Sequence, residues 1–325
     1  MADLRELAPT DAERRGQILL VTGFALAVVF VGLALVFNSV IYTENLATRS
    51  ESTTTSDPII HKQSVEAGAE RIVEYVNEYN ATNASGYDPV AENVTSAFEN
   101  MTAVMVAQQL EDGQVVDDSI RDIDNGTLVQ QPNATRNFTS ATNATNWTPV
   151  NGSANGVRGM EFNITEIHSG TAFNVSAEDG DGDVWEMKVR PNQLAGDAIQ
   201  VETPSGTTTE CGPPSTDTPF RINVSAGTIA DGSGGVESCP GLAFGGLGTV
   251  DSVEFNHSDN ANGSYAFVVN ETRSSIDTSG VDYGPNSRFP RVDPAIWGVT
   301  IRVDYESDVL EYVTEVRAVP GETDA

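Results

Sequence analysis

The apolar positions of this chain follow three rhythms. From Gly16 to Tyr42 they run almost unbroken and no residue is charged, so a helix there would be about 40 Å long against about 30 Å of bilayer hydrocarbon. This predicts a transmembrane helix over 16–42, between a cytoplasmic tail at 1–15 and a linker at 43–56. Next, Val65, Ala69, Ile72, Val76 and Tyr79 recur at spacings of four and three, as do Val90, Val94, Ala97, Met101 and Met105 at spacings of four and three. Each set is one face of a helix, and the two predict a helical hairpin or stalk over 57–112.

From Met160 the period becomes two. Met160, Phe162 and Ile164 alternate with polar residues, as do Phe173, Val175 and Ala177, and then Trp185, Met187 and Val189. Alternation of this kind marks half-buried strands, and these three are expected to form an antiparallel meander. Further alternating runs at 220–226, 250–257, 264–271, 297–305 and 310–316 extend the pattern. The fold class is therefore α+β: an N-terminal transmembrane helix, a short helical hairpin or stalk, and a mainly antiparallel, sandwich-like β head over 157–320. Residues 125–156 fit neither period. They are rich in Asn, Thr and Gly and read as an exposed, glycosylated loop, with Phe138 and Trp147 as its docking points.

Direction follows from charge. Arg14 and Arg15 abut the apolar run on its N-terminal side and Glu44 is the first charge beyond it, so the positive-inside rule places the N-terminus in the cytoplasm and the C-terminal domain outside. A cleaved secretory signal has a shorter apolar region and a small-x-small exit, which residues 38–50 do not offer. Gly23 and Ala27 form a small-xxx-small pair, a possible route to oligomers through the membrane helix.

The outward assignment gains support from Asn-x-Ser/Thr sequons. Of 23 asparagines, 16 begin one: Asn80, Asn83, Asn93, Asn100, Asn125, Asn133, Asn137, Asn143, Asn146, Asn151, Asn163, Asn174, Asn223, Asn256, Asn262 and Asn270. Chance placement would give about four or five. None lies in the anchor or the tail, as sites of extracellular N-glycosylation require. In the strand sequons, Asn163, Asn174, Asn223 and Asn256 are expected on the polar face, opposite the aromatic residues.

Composition adds an environment. The net charge is −30, and 15 of the 17 basic residues are Arg, leaving only Lys62 and Lys188. An acidic, lysine-poor surface suits a protein kept soluble in multimolar salt, as in a halophilic archaeon, where repulsion between carboxylates is screened. It also argues against nucleic acid as a partner; the expected partner is the lipid bilayer.

Candidate chemistry is sparse. Cys211 and Cys239, outside the membrane and in Gly/Pro/Ser-rich surroundings, are most simply a disulfide; a thiol nucleophile or two-Cys metal site has no nearby His to complete it. The stretch EDGDGDV at 178–184 alternates Asp179, Asp181 and Asp183, but Val184 stands where a Ca²⁺ loop of the EF-hand type needs Gly, so a hairpin turn is the expected reading. His61, His168 and His257 fall in separate elements. No HExxH, GxSxG or Walker motif occurs. No metal, cofactor or catalytic residue is expected.

The stretch RRGQILLVTGFALAVVFVGLALVFNSVIYTENLATRS resembles the N-termini of uncharacterised haloarchaeal single-span membrane proteins and, more loosely, of type IV pilin-like and Tad-type pseudopilin proteins. The looser resemblance implies a leader cut by a prepilin peptidase after Gly16, leaving Gln17 as the new terminus, and a helix that packs into a filament. Where those proteins carry a glutamate at the fifth mature position, this chain has Val21. The expected function is a membrane-anchored extracellular glycoprotein, a structural cell-surface or pilin-like subunit. The alternative is an anchored adhesion or ligand-binding module with a β-rich head; an ectoenzyme ranks third.

Overall fold

The computed structural model describes residues 56–79, 86–111, 113–151, 154–191, 198–213, 219–276, 282–284, 289–308 and 310–321. The apolar span 16–42, the processing pair Gly16 and Gln17, and the sequons Asn80 and Asn83 lie outside them. Among the described residues no helix is long and apolar enough to cross a membrane. The chain divides into two compact units, Met1–Ile60 and His61–Ala325. Only residues 56–60 of the first are described; they are helical.

Two helices open the described chain, α1 (Ser56–Tyr79) and α2 (Tyr87–Glu111). Both begin with an Asp-Pro pair, Asp57-Pro58 and Asp88-Pro89. The acid lies at the positive end of the helix dipole, and Pro is tolerated there because first-turn N–H groups lack intrahelical acceptors. Helix α2 stops at Gly113, whose φ of +77° lets Gln114 N–H reach Gln109 O (2.9 Å) while Gly113 N–H reaches Leu110 O (3.2 Å). That pattern satisfies two of the last carbonyls of the helix. The helices pair closely, since a Cβ on Gly68 of α1 would collide with Met101 Sδ of α2. The buried face of α1 is Val65, Ala69, Val73 and Val76; Tyr79, expected on it, is 58 % exposed. The face is rotated toward Val73 because Ile72 is only half-buried.

Fifteen strands follow among the described residues. They are β1 (Val115–Val116), β2 (Ser119–Gln131), β3 (Trp147–Val150), β4 (Val157–Ile167), β5 (Phe173–Asp179), β6 (Val184–Val189), β7 (Ile199–Glu202) and β8 (Thr208–Cys211). Then come β9 (Phe220–Asn223), β10 (Thr228–Asp231), β11 (Val236–Ser238), β12 (Val250–Asn256), β13 (Ala261–Val269), β14 (Arg291–Glu306) and β15 (Glu311–Ala318). A four-residue helix, α3 (Arg273–Ile276), follows β13. The strands form two antiparallel sheets. The larger runs β15-β14-β2-β13-β4-β9-β10-β11, with β1 on β14 in continuation of the β2 lane; the smaller runs β3-β12-β5-β6-β7-β8.

This is a mainly antiparallel, sandwich-like domain with two helices, as the alternating runs predict. The meander does not form as expected. Strand β4 lies in the larger sheet and β5 and β6 in the smaller, so residues 168–172 cross between sheets and only β5-β6 is a hairpin. Alternation reports which side of a strand is wet but not which sheet it joins. Residues 125–156 also differ from an open loop: they contain the end of β2 and all of β3, with Phe138 fully buried and Trp147 6 % exposed.

The larger sheet has two covers. Over one part lies the smaller sheet, and the space between is filled by aromatic rings: Phe162 and Tyr265 from the larger sheet, Phe173, Phe255 and Trp147 from the smaller, and Phe138 from the intervening loop. Ring centroids are 4.9 Å apart for Phe138–Phe173, 5.5 Å for Phe173–Phe255 and 5.3 Å for Phe255–Tyr265. Such pairs add about 0.5–1.5 kcal/mol each beyond the area they bury. Over another part lies the helical hairpin, whose Val65, Ala69, Val73, Val76, Val90, Val94 and Phe98 meet Val299, Ile301 and Val303 of β14 and Val316 and Ala318 of β15. The hairpin is thus part of the head's own core, not a free stalk.

Candidate functional site

Strand alternation places the strand sequons. In β4, Met160, Phe162 and Ile164 are fully buried while Asn163 is partly open; Asn174 in β5, Asn223 in β9 and Asn256 in β12 stand in the same relation to their buried neighbours. On α2, Asn93 and Asn100 face solvent, seven residues apart and so on one side of the helix. Asn125, Asn133, Asn143, Asn146 and Asn151 are exposed, and Asn137, Asn262 and Asn270 are partly so. All fourteen described sequon asparagines are therefore at least partly exposed, although the side-chain oxygens of Asn174 and Asn262 are buried. Several donate their amide locally: Asn223 to Glu161 at 2.6 Å, Asn262 to Glu166 at 3.1 Å and Asn174 to Glu186 at 3.3 Å. Burial raises the Glu161 carboxyl above its usual range, partly offset by nearby Arg221 and by the Asn223 amide.

Cys211 and Cys239 are joined in a disulfide, with Cα atoms 5.8 Å apart and a sequence separation of 28. Cys211 ends β8, the outer strand of the smaller sheet, and Cys239 follows β11, the outer strand of the larger. The bond therefore ties the two sheets together at one margin. Closing a loop of this length contributes about 3 to 4 kcal/mol by restricting the unfolded chain. Trp185 Nε1 donates to Gly241 O at 2.8 Å and its ring meets Phe244 at 5.0 Å, so the segment after Cys239 is also pinned to the smaller sheet.

The EDGDGDV stretch is the β5-β6 turn. Asp179 accepts from the amides of Asp181 (3.1 Å), Asp183 (3.1 Å) and Gly248 (2.9 Å), and these bonds, Gly248 foremost, hold its carboxyl below the usual range. Its oxygens are engaged by backbone, and among the described residues no group of three or more potential ligands is arranged for a metal ion.

Lys188 contacts Glu186 (2.6 Å) and Glu202 (3.6 Å) on the polar side of the smaller sheet. The Glu186 hydrogen bond raises the lysine and lowers the glutamate, so the amine is held protonated, which is the wrong state for a nucleophile. His168 Nδ1 contacts Asp259 O (2.9 Å), while His257 is exposed before a short 3-10 turn. The three histidines are not brought together.

One pairing has no signature in the sequence. His61 Nε2 lies 2.9 Å from Asp118 Oδ2, with side chains 1 % and 0 % exposed. The pair is made possible by a jog between β1 and β2: Asp117 N–H still bonds Asp304 O on β14 (2.9 Å), while Asp118 falls between the two strands. His61 Nδ1 and Asp118 Oδ1 have no hydrogen-bond partner among the described residues. The ring of Tyr305 lies 5.9 Å from that of His61. A second buried polar contact fixes the other end of α1: the Asn77 amide donates to Ile296 O (2.7 Å) and accepts from Ile296 N–H (2.9 Å), standing in for a neighbouring strand.

Among known families, one described as a family of unknown function (DUF7261) matches residues 12–122, which take in the apolar span, both helices and the start of β2. No curated protein and no solved structure matches the chain.

Proposed function

We propose that this chain is a membrane-anchored extracellular glycoprotein of a halophilic archaeon, N-terminus in the cytoplasm, whose head serves as a structural cell-surface or pilin-like subunit and carries no catalytic site. The observation that carries this reading is that every described sequon asparagine is at least partly exposed, combined with an excess of sequons over chance. A disulfide spanning the margin of the sandwich fits an oxidising exterior. The acidic, lysine-poor composition fits high salt. Val21 in place of the pilin glutamate favours, as the second reading, a permanently anchored adhesion module.

Mass spectrometry of the protein from its native membrane tests both parts. A retained anchor gives an N-terminal peptide starting at Met1 or Ala2, prepilin-type processing one starting at Gln17, and a start beyond residue 38 refutes anchoring. Glycopeptides should carry glycan at Asn93, Asn100 and the loop sites Asn133 and Asn143. Unmodified asparagine at all sixteen sequons would remove the glycoprotein reading.

A further inference from the structure

The larger sheet ends at β15, and this margin differs from the others. The outer strands β11, β3 and β8 are three, four and four residues long, whereas β15 has eight residues, all paired to β14 from Val299↔Ala318 to Glu306↔Glu311. Among the described residues no strand pairs with its other side and no backbone hydrogen bond reaches it from there. A long regular edge is a template for another strand unless something blocks it. There is no proline or bulge in β15. No sequon lies beyond Asn270, and Asn125, on β2, has β14 between it and β15.

The residues of β15 decide what the edge accepts. Tyr312, Thr314, Val316 and Ala318 share one side of the strand, the side on which Val316 and Ala318 pack with the helical hairpin. Glu311, Val313, Glu315 and Arg317 share the other. Two copies paired antiparallel about a two-fold axis must match residues of like side, which restricts the register to steps of two. Centred on Thr314, the register sets Glu311 opposite Arg317 of the second copy and Val313 opposite Glu315. On the other side it sets Tyr312 opposite Val316 and Leu310 opposite Ala318. Centring on Val313 places Glu311 against Glu315 twice, and centring on Glu315 places that residue against itself. Registers centred on Tyr312 or Val316 also avoid a like-charge pair but overlap only part of the strand; the Thr314 register avoids one while pairing residues 310–318 throughout, and it adds an aromatic–β-branched pair, each favourable by about 0.2–1 kcal/mol. In it Arg317, 3.1 Å from Asp124 in its own chain, would bridge two carboxylates.

We infer that β15 is a homotypic docking edge: two copies of this chain join antiparallel through residues 311–317, centred on Thr314, extending the larger sheet from one molecule into the next. Each chain carries a net charge of −30, so association requires the screening of molar salt. The inference does not depend on the functional reading above, and a dimer made through the membrane helix would not select this register.

Site-directed cross-linking of the full chain in detergent and molar KCl tests it. The sequence has two cysteines, both in the disulfide, so introduced thiols report alone. Thr314→Cys should oxidise to a covalent dimer in yield several-fold above Val236→Cys on the opposite margin. Glu311→Arg should reduce that yield several-fold, and Glu311→Arg combined with Arg317→Glu should restore it. Equal yields from Thr314→Cys and Val236→Cys, or no rescue by the charge exchange in a protein with an unchanged melting temperature, would overturn the register.

Discussion

The two covers of the larger sheet solve the same problem with different materials. Where the smaller sheet lies on it, burial is aromatic and cross-linked: Phe138, Phe162, Phe173, Phe255 and Tyr265 meet one another, and the margin is closed by a disulfide. Where the helices lie on it, burial is aliphatic, with Val and Ala dominant and Phe98 the single hydrophobic ring among the buried helix residues. Small aliphatic side chains bury less area and fix geometry weakly. The helical cover is instead located by buried polar groups, His61 on Asp118 near its start and Asn77 on Ile296 near the end of α1. The sandwich derives stability from mass of contact, the hairpin derives its position from a few directional bonds.

The largest effect is expected where rings are densest. Phe255→Ala removes a fully buried side chain that touches Trp147, Phe162, Phe173 and Tyr265, and should cost about 4 kcal/mol in denaturant unfolding. A loss near 1 kcal/mol would mean that the cluster is not the main store of stability. Next, Asp118→Ala leaves His61 buried without its carboxylate and should cost about 3 kcal/mol. Hydrogen exchange should then rise in α1 and α2 while β4, β5 and β6 stay protected, and uniform exchange would erase the distinction between the covers.

Asn77→Ala strips both partners from the buried backbone of Ile296 and should cost about 2 kcal/mol, read as a lower denaturation midpoint at unchanged slope. The smallest effect belongs to the β5-β6 turn. Because backbone amides hold the folded Asp179 carboxyl below its usual value, its contribution is present above that usual value and disappears as pH falls through the folded one. Asp179→Asn should therefore melt below the parent at neutral pH, with the gap closing below about pH 4. A gap independent of pH would show that the turn relies on shape and not on charge.

Much of this arrangement is legible in the alternation and the helical spacing. Phe162, Phe173 and Phe255 each stand at an inward position of a two-residue period, and the same period puts Asn163, Asn174 and Asn256 outward. Strand β2 is not legible, because Ser119–Gln131 mixes exposed Asp and Arg with half-buried Ile at its start and buries consecutive residues from Gly126 on. A strand central in a sheet with two covers has both sides occupied in part, and no single period survives. The His61–Asp118 pair is illegible for a different reason: its members are 57 residues apart, and Asp118 is turned inward by an irregular step that no propensity encodes.

The order in which the covers occur along the chain has a mechanical consequence. Tension entering the head from its N-terminal side meets α1 first, at His61, held by Asp118, and then at Val65, Ala69, Val73 and Val76. These ties lie three or four residues apart along a helix and are loaded one after another, as in peeling, so each yields at low force. Strands β4, β13, β2 and β14 are bonded side by side through many rungs at once and resist sliding collectively. Pulled from that end, the molecule would lengthen by shedding its helical cover while the disulfide-closed sandwich stays intact, a fuse in series with a rigid body.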